Sequence, residues 1–329
     1  MLPMIMPVTL PFRLRAFTPD DYDAFASLHA TLFPEHPSTP DEWRDTDRQA
    51  ERDERLKQGR LVAEHDGTLV GFAEYSQNPG MYHPRRFILA GGVLESVRGQ
   101  GLGRKLYDAL LSRLEPFDPL SVRARAREDA ERALRFLAER GFVETQRAWE
   151  ATIDPRTFDF SPYEGLEANL RERGITLHAL TELMHRDDWR ELIYDAFSDT
   201  RLDVPRSEPA TPLSFEQFRE YILEDSMFLP DAYFVALQGD RAVGTSDLYR
   251  SGAADGLFTG YTGVRREARG QGVALALKLR ALRYARNRGA PWVRTDNAST
   301  NAPMLAVNEK LGFRREPAWL SFQKVLAET

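Results

Sequence analysis

Two six-residue runs carry the clearest chemical potential in this chain of 329 residues: Arg98-Gly99-Gln100-Gly101-Leu102-Gly103 and Arg269-Gly270-Gln271-Gly272-Val273-Ala274. Glycines in such a run remove the side chains that would keep a ligand off the backbone. Each run opens an amphipathic segment, with Leu102, Leu106 and Leu110, or Leu275, Leu279 and Leu282, on one helical face. A glycine turn that opens a helix aims unpaired N–H groups and the positive end of the helix dipole at one spot, which suits a phosphate. Arg98, Arg104 and Arg269 stand where they could add charge-assisted hydrogen bonds to a diphosphate. A tight turn with no ligand is the alternative, and two copies in matched surroundings weigh against it. Neither GxxxxGK[ST] nor GxGxxG is present, so spacing alone leaves the phosphate ligand open.

The elements that must position these turns also come twice. Arg-Gly-Gln-Gly recurs from 98 to 269 and Gly-Phe from 141 to 312, the same offset of 171 residues, which indicates a duplicated domain. Before each turn lies a hairpin, Leu61–Glu64 with Leu69–Tyr75 around Asp66-Gly67, and Tyr233–Gln238 with Ala242–Leu248 around Gly239-Asp240. A strand then leads into the turn, Arg86–Leu94 or Leu257–Val264. After the helix come a short strand (Ser121–Ala124; Trp292–Thr295), a helix ending in Gly-Phe and a last strand. The division expected is residues 1–153, a linker with a short helix over 154–174, and residues 175–329. Ser161-Pro162-Tyr163-Glu164 reads as an N-cap, a first-turn proline and a capping-box glutamate.

Composition narrows the class. Hydrophobic residues at 42% and charged residues at 29% suit a globular chain with a real core. No apolar run approaches the ~18 residues of a spanning helix, and the apolar start from Met1 to Pro11 lacks the features of a signal peptide, so no membrane partner and a cytoplasmic location are expected. The absence of cysteine excludes disulfides and a cysteinyl acyl-enzyme. The six histidines form no metal spacing and no metal is expected. A net charge of −6 conceals two acidic segments, Thr18–Gly59 and Leu180–Asp231, in a basic remainder, with no stripe for nucleic acid.

The two glycine runs resemble the (Q/R)xxGx(G/A) motif of the GCN5-related N-acetyltransferases, and the element order resembles that family over most of both halves. The resemblance implies an α/β (α+β) class: two tandem folds of this family, each a mixed, mostly antiparallel twisted sheet flanked by helices. It implies acetyl-CoA as cofactor, with its pyrophosphate on the two turns and its pantetheine arm along the strands ending at Val93 and Val264. It also implies transfer of an acetyl group to a small-molecule amine. The family often carries an Asn that helps hold the cofactor and a Tyr that protonates the departing thiolate. The second half has Asn301 at the first position and Asn308 at the second; the first half has Ala130 and Leu137. The second half is therefore expected to turn over, and the first to keep only its turn.

Candidates for proton transfer are Asp247 and Tyr249 in the second half and Glu74 in the first. Direct attack of the amine in a ternary complex is the expected mechanism. The acidic Leu180–Asp231 segment suggests a cationic acceptor, with Phe197, Tyr221, Phe228 and Tyr233 as an apolar wall. The alternative from another class is a module that binds or senses acetyl-CoA without chemistry. A monomer or a homodimer fits the duplicated architecture.

Overall fold

The computed structural model describes residues 12–250, 252 and 255–327. The first repeat supplies β1 (Arg13–Ala16), α1 (Tyr22–Leu32), α2 (Pro40–Arg52), β2 (Gly59–His65), β3 (Thr68–Ser76), β4 (Arg86–Val93), α3 (Leu102–Leu114), β5 (Ser121–Arg127), α4 (Glu131–Ala138) and β6 (Val143–Ile153). The second begins with α5 (Leu166–Glu172), β7 (Ile175–Ala179), α6 (Leu180–Leu183), α7 (Trp189–Arg201), α8 (Phe215–Phe218), β8 (Phe228–Gln238) and β9 (Arg241–Arg250). It ends with β10 (Leu257–Val264), α9 (Val273–Asn287), β11 (Val293–Ala298), α10 (Ala302–Lys310), β12 (Arg314–Arg315) and β13 (Trp319–Val325). Packing divides the chain differently from the repeat: one compact unit is Met1–Ala124 with Gln323–Thr329, the other Arg125–Phe322. Helix α4 and strand β6, first-repeat elements in sequence, pack in the second unit.

In the first unit the strands run β1-β2-β3-β4-β5, antiparallel except for the parallel β4–β5 pair. The β2–β3 hairpin turns at Asp66 and Gly67, both left-handed (φ 49° and 75°), the turn whose twist matches its strands. Helix α3 lays Leu102, Leu106, Leu110 and Leu114 against the sheet, each essentially buried, at about 2 kcal/mol of apolar stabilisation apiece. On α1 and the sheet, Phe25, Leu28, Val62, Leu69 and Phe72 form a second small core.

In the second unit the order is β7-β8-β9-β10-β11-β6, antiparallel except for parallel β10–β11. Strand β6 covers the far edge of β11 over six residue pairs, from Val293↔Ile153 to Ala298↔Ala148. In both units the parallel strands pair only at their first residues, Arg86–Ile88 with Ser121–Arg123 and Leu257–Phe258 with Val293–Arg294, then diverge. The glycine turns follow the diverged ends.

One local expectation is corrected. Ser161-Pro162-Tyr163 forms a single 3-10 turn with no side-chain cap, and Glu164 does not complete a capping box. Gly165, left-handed at φ 88°, ends that turn and starts α5 instead. The helix does close before left-handed Gly174.

Lys278 on α9 is 3% exposed in the interior of the second unit. Among the described residues its Nζ reaches Thr295 Oγ1, at 3.5 Å, and the Phe313 ring, 4.9 Å from the centroid. Burial pushes its pKa down to about 7. The folded state thus holds this proton less well than the unfolded chain. The group's contribution is full above about pH 10.5 and is lost as pH falls toward 7, by roughly 1.4 kcal/mol per unit. Lys278→Met should raise stability at pH 7 and make the protein less responsive to alkali between pH 7 and 10, as read by urea melts across that range.

Candidate active site

The two glycine turns share one backbone design. Gly99 and Gly101, and Gly270 and Gly272, are all left-handed, at φ 73–89°. Gly101 and Gly272 are the N-cap residues of α3 and α9, and Leu102 and Val273 anchor the first turn of each helix in the core. Gly103 and Ala274 follow as small residues on that turn. The arginine that opens each run braces the turn to the preceding strand: Arg98 Nε donates to Val93 O at 3.1 Å and Arg269 Nε to Val264 O at 2.9 Å. Gln271 Nε2 donates to Glu267 O at 3.2 Å, whereas Gln100 and Arg104 are exposed.

The surroundings of the turns differ. A Cβ built on Gly99, Gly101 or Gly270 meets nothing within 4 Å. On Gly272 it comes 3.1 Å from Leu166 Cδ1 of α5. Asp203, just past α7, binds Arg266 and Arg269 at 2.5–3.0 Å, and these guanidinium groups hold its carboxyl well below the usual carboxylate range. The first turn is open; the second is flanked by an apolar side chain and a carboxylate.

Strand β10, which leads to the second turn, breaks its ladder midway. Thr259 pairs with Leu248 and Thr262 with Ser246, so Gly260 and Tyr261 both stand opposite Asp247, a β-bulge. Asp247 Oδ1 accepts the freed Tyr261 N–H. This carboxyl is 4% exposed, and burial raises its pKa to about 7 against the backbone hydrogen bonds that lower it. Tyr249, against Gly260, is pushed well above its ordinary range by burial and then by Asp247, so it keeps its proton. Tyr261 turns its hydroxyl to Thr200 Oγ1 at 2.9 Å. The first unit's β3–β4 ladder runs from Gly71↔Val93 to Ser76↔Ile88 without such a shift. There Glu74 is the partner of Arg60 at 2.8 Å.

On the other side of the divergence, Asn301 caps α10, its Oδ1 accepting from Met304 N at 3.4 Å. Asn308 is 4% exposed; its Nδ2 donates to Asn297 Oδ1 at 2.6 Å, and its own Oδ1 is buried without a partner among the described residues. Such an atom is costly unless a ligand donor meets it.

The sequence profile described as "Acetyltransferase (GNAT) family" matches residues 22–142 and again 186–313. The chain belongs to this family. As a GNAT protein it is an N-acetyltransferase with the tandem, mostly antiparallel fold expected from its repeats. A mycothiol acetyltransferase of Thermobifida fusca is 27% identical to it over 266 residues, 76% of this chain and 77% of that one. A mycothiol acetyltransferase of Frankia casuarinae is 34% identical over 141 residues, 40% and 41% of the two chains. Among solved structures, a tandem GNAT protein from the clavulanic acid biosynthesis pathway superimposes with TM-score 0.73 at 17% identity, over 97% of this chain and 100% of that one.

This GNAT chain holds groups that sequence reading passed over. Arg265, 3% exposed, donates to Ala242 O, Asp199 and Asp195 at 2.9, 2.9 and 2.6 Å, tying α7 to the end of β10. Together with Asp203 this commits three carboxylates of the acidic segment to arginines. The bulge had one signal, a glycine inside a strand run.

A Cβ on Gly260 would lie 2.7 Å from Asp247 Oδ1 and overlap the Tyr249 ring. Gly260→Ala should cost about 2 kcal/mol in a urea melt and depress turnover further than the melt alone explains. Because its folded pKa is raised, Asp247 contributes stability below about pH 4 that is lost as pH rises to about 7. Asp247→Asn should therefore gain stability over the native chain at pH 8 while differing little at pH 3.

Proposed function

We infer that this acetyltransferase moves an acetyl group from acetyl-CoA to a primary amine of a small molecule, by direct attack in a ternary complex at the second repeat. The observation that carries this reading is the bulge of β10, where Gly260 and Tyr261 lie against buried Asp247 and half-buried Tyr249 on the strand that leads to a helix-opening glycine turn. GNAT proteins generally use acetyl-CoA, whose thioester supplies an acyl carbon open to an amine. The turn's N–H groups, from Gly270 to Ala274, suit the pyrophosphate. The diverged ends of β10 and β11 leave backbone groups for an extended pantetheine arm, and Asn308 Oδ1 offers it an acceptor.

The proton steps fit the titration of Asp247 and Tyr249. Asp247, at about 7, is matched to taking a proton from an ammonium near neutrality. Tyr249 remains a donor throughout that range. As the nitrogen bonds to the acyl carbon the carbon–sulfur bond breaks. Sulfur leaves with the electron pair and takes a proton from Tyr249 to end as the thiol, and the proton that the nitrogen sheds on becoming an amide restores Tyr249. No cysteine is present to interpose a covalent acyl-enzyme. The mycothiol acetyltransferases, aligned over three quarters of their length, support acetyl transfer as the reaction.

The first repeat has an open turn, an unbulged strand, and apolar Ala130 and Leu137 where the second has Asn301 and Asn308. That combination favours acetyl-CoA binding without chemistry there. Calorimetric titration of acetyl-CoA should accordingly show two sites. Gly101→Glu should remove one and leave turnover within about twofold, whereas Gly272→Glu should remove the other and reduce turnover at least 100-fold, on the order of 3 kcal/mol. Circular dichroism melts control for folding. Activity that survives Gly272→Glu and falls with Gly101→Glu would transfer the reaction to the first repeat.

A further inference from the structure

An open cavity of about 380 Å³ in the second unit is lined by residues of polar and charged type. Strand β6 contributes Glu144, Thr145 and Arg147, the segment after α7 contributes Arg206 and Ser207, and the turn after β11 contributes Ser299 and Thr300. That last pair immediately precedes Asn301, at the end of β11 that has diverged from β10. Arg206 lies near enough to Tyr261 of the bulge for each to act electrostatically on the other. The cavity therefore belongs to the same end of the sheet as the proposed chemistry.

Its charges are not balanced. Arg147 is closed by Glu144 at 2.7 and 3.2 Å and by Glu128 at 3.4 Å, so arginine and glutamate there neutralise one another. Arg206 instead spends Nη1 on two backbone carbonyls, Arg201 O at 2.7 Å and Val204 O at 3.0 Å. No carboxylate among the described residues pairs with it. The neighbouring Arg201 is buried and of the same sign, and burial holds both guanidinium groups below their ordinary range. An arginine in the protein keeps its charge regardless. A half-buried cation beside several hydroxyls, with no anion of its own, is completed when the ligand brings one.

We propose that this cavity is the acceptor subsite of the second repeat, and that the acceptor is a small amine bearing a carboxylate or phosphate that pairs with Arg206. The proposal rests on the transfer reading above. It reverses the charge expected from the sequence, because Asp195, Asp199 and Asp203 of the acidic segment already serve Arg265, Arg266 and Arg269.

The test measures release of the CoA thiol with matched acceptors: glycine against glycinamide, phosphoethanolamine against ethanolamine, and spermidine as a polycation. In the native protein the anionic member of at least one pair should lead in kcat/KM by about tenfold or more. Arg206→Gln should abolish that lead and leave the KM for acetyl-CoA within about twofold, and Arg206→Lys should restore part of it. Equal or better use of the uncharged partners or of spermidine overturns the proposal, as does a lead that survives Arg206→Gln. Where no acceptor turns over, the same pairs are titrated calorimetrically into the CoA-loaded protein. Anion-selective binding that Arg206→Gln removes upholds the proposal; its absence ends it. A protein that fails to bind acetyl-CoA defeats the transfer reading as well, which separates the two failures.

Discussion

The parting of β10 from β11 after two residue pairs is the constraint on which the second unit's site depends. Parallel strands that stay paired to their ends bury their backbone groups in each other. These separate, and the separation leaves room at the end where the glycine turn begins. The bulge opposite Asp247 then bends β10 at that place, and a single carboxylate takes up the N–H that the bulge releases. Parting and bulge fall on opposite edges of β10, one toward β11 and the other toward β9.

Electrostatics around this end of the sheet is organised by arginines more than by acids. Arg265, Arg266 and Arg269 stand at the exit of β10 and collect Asp195, Asp199 and Asp203 from α7 and the segment after it. The net charge of a sequence segment is therefore a poor guide to the field that a ligand meets. The partners are 63–70 residues apart along the chain, a distance over which counting charges in a window has no view. Arg265 shows the energetic side: a guanidinium this deeply buried is stable only because Ala242 O and two carboxylates replace its water.

Much of the fold was legible because its signals are local. Left-handed glycines, leucine spacing on α3 and α9, and the Asp66-Gly67 turn depend on a few neighbouring residues each. Of the candidate site, the turns could be placed by repeat offset, Asn301 and Asn308 only through the family resemblance, and Asp247 and Tyr249 as polar residues on an expected inward-facing strand. Leu166 beside Gly272 could not be placed, since nothing in the linker's composition says which loop its helix approaches. Ser161-Pro162-Tyr163-Glu164 carried a helix-start pattern that Gly165 overrode one residue later. The destination of β6 was equally hidden, because strand pairing depends on partners chosen across the whole chain.

That destination bears on whether the repeats can be parted. Strand β6 ends the first repeat in sequence, yet it hydrogen-bonds along β11 from Val293 to Ala298. A fragment cut at the repeat boundary, beginning at residue 175, would carry β11 with a row of unsatisfied backbone groups on its outer side. Exposed edges of that kind recruit other strands, so the fragment would be prone to self-association. A second half that keeps its edge covered must therefore start upstream of the repeat boundary, early enough to carry Val143–Ile153 with it.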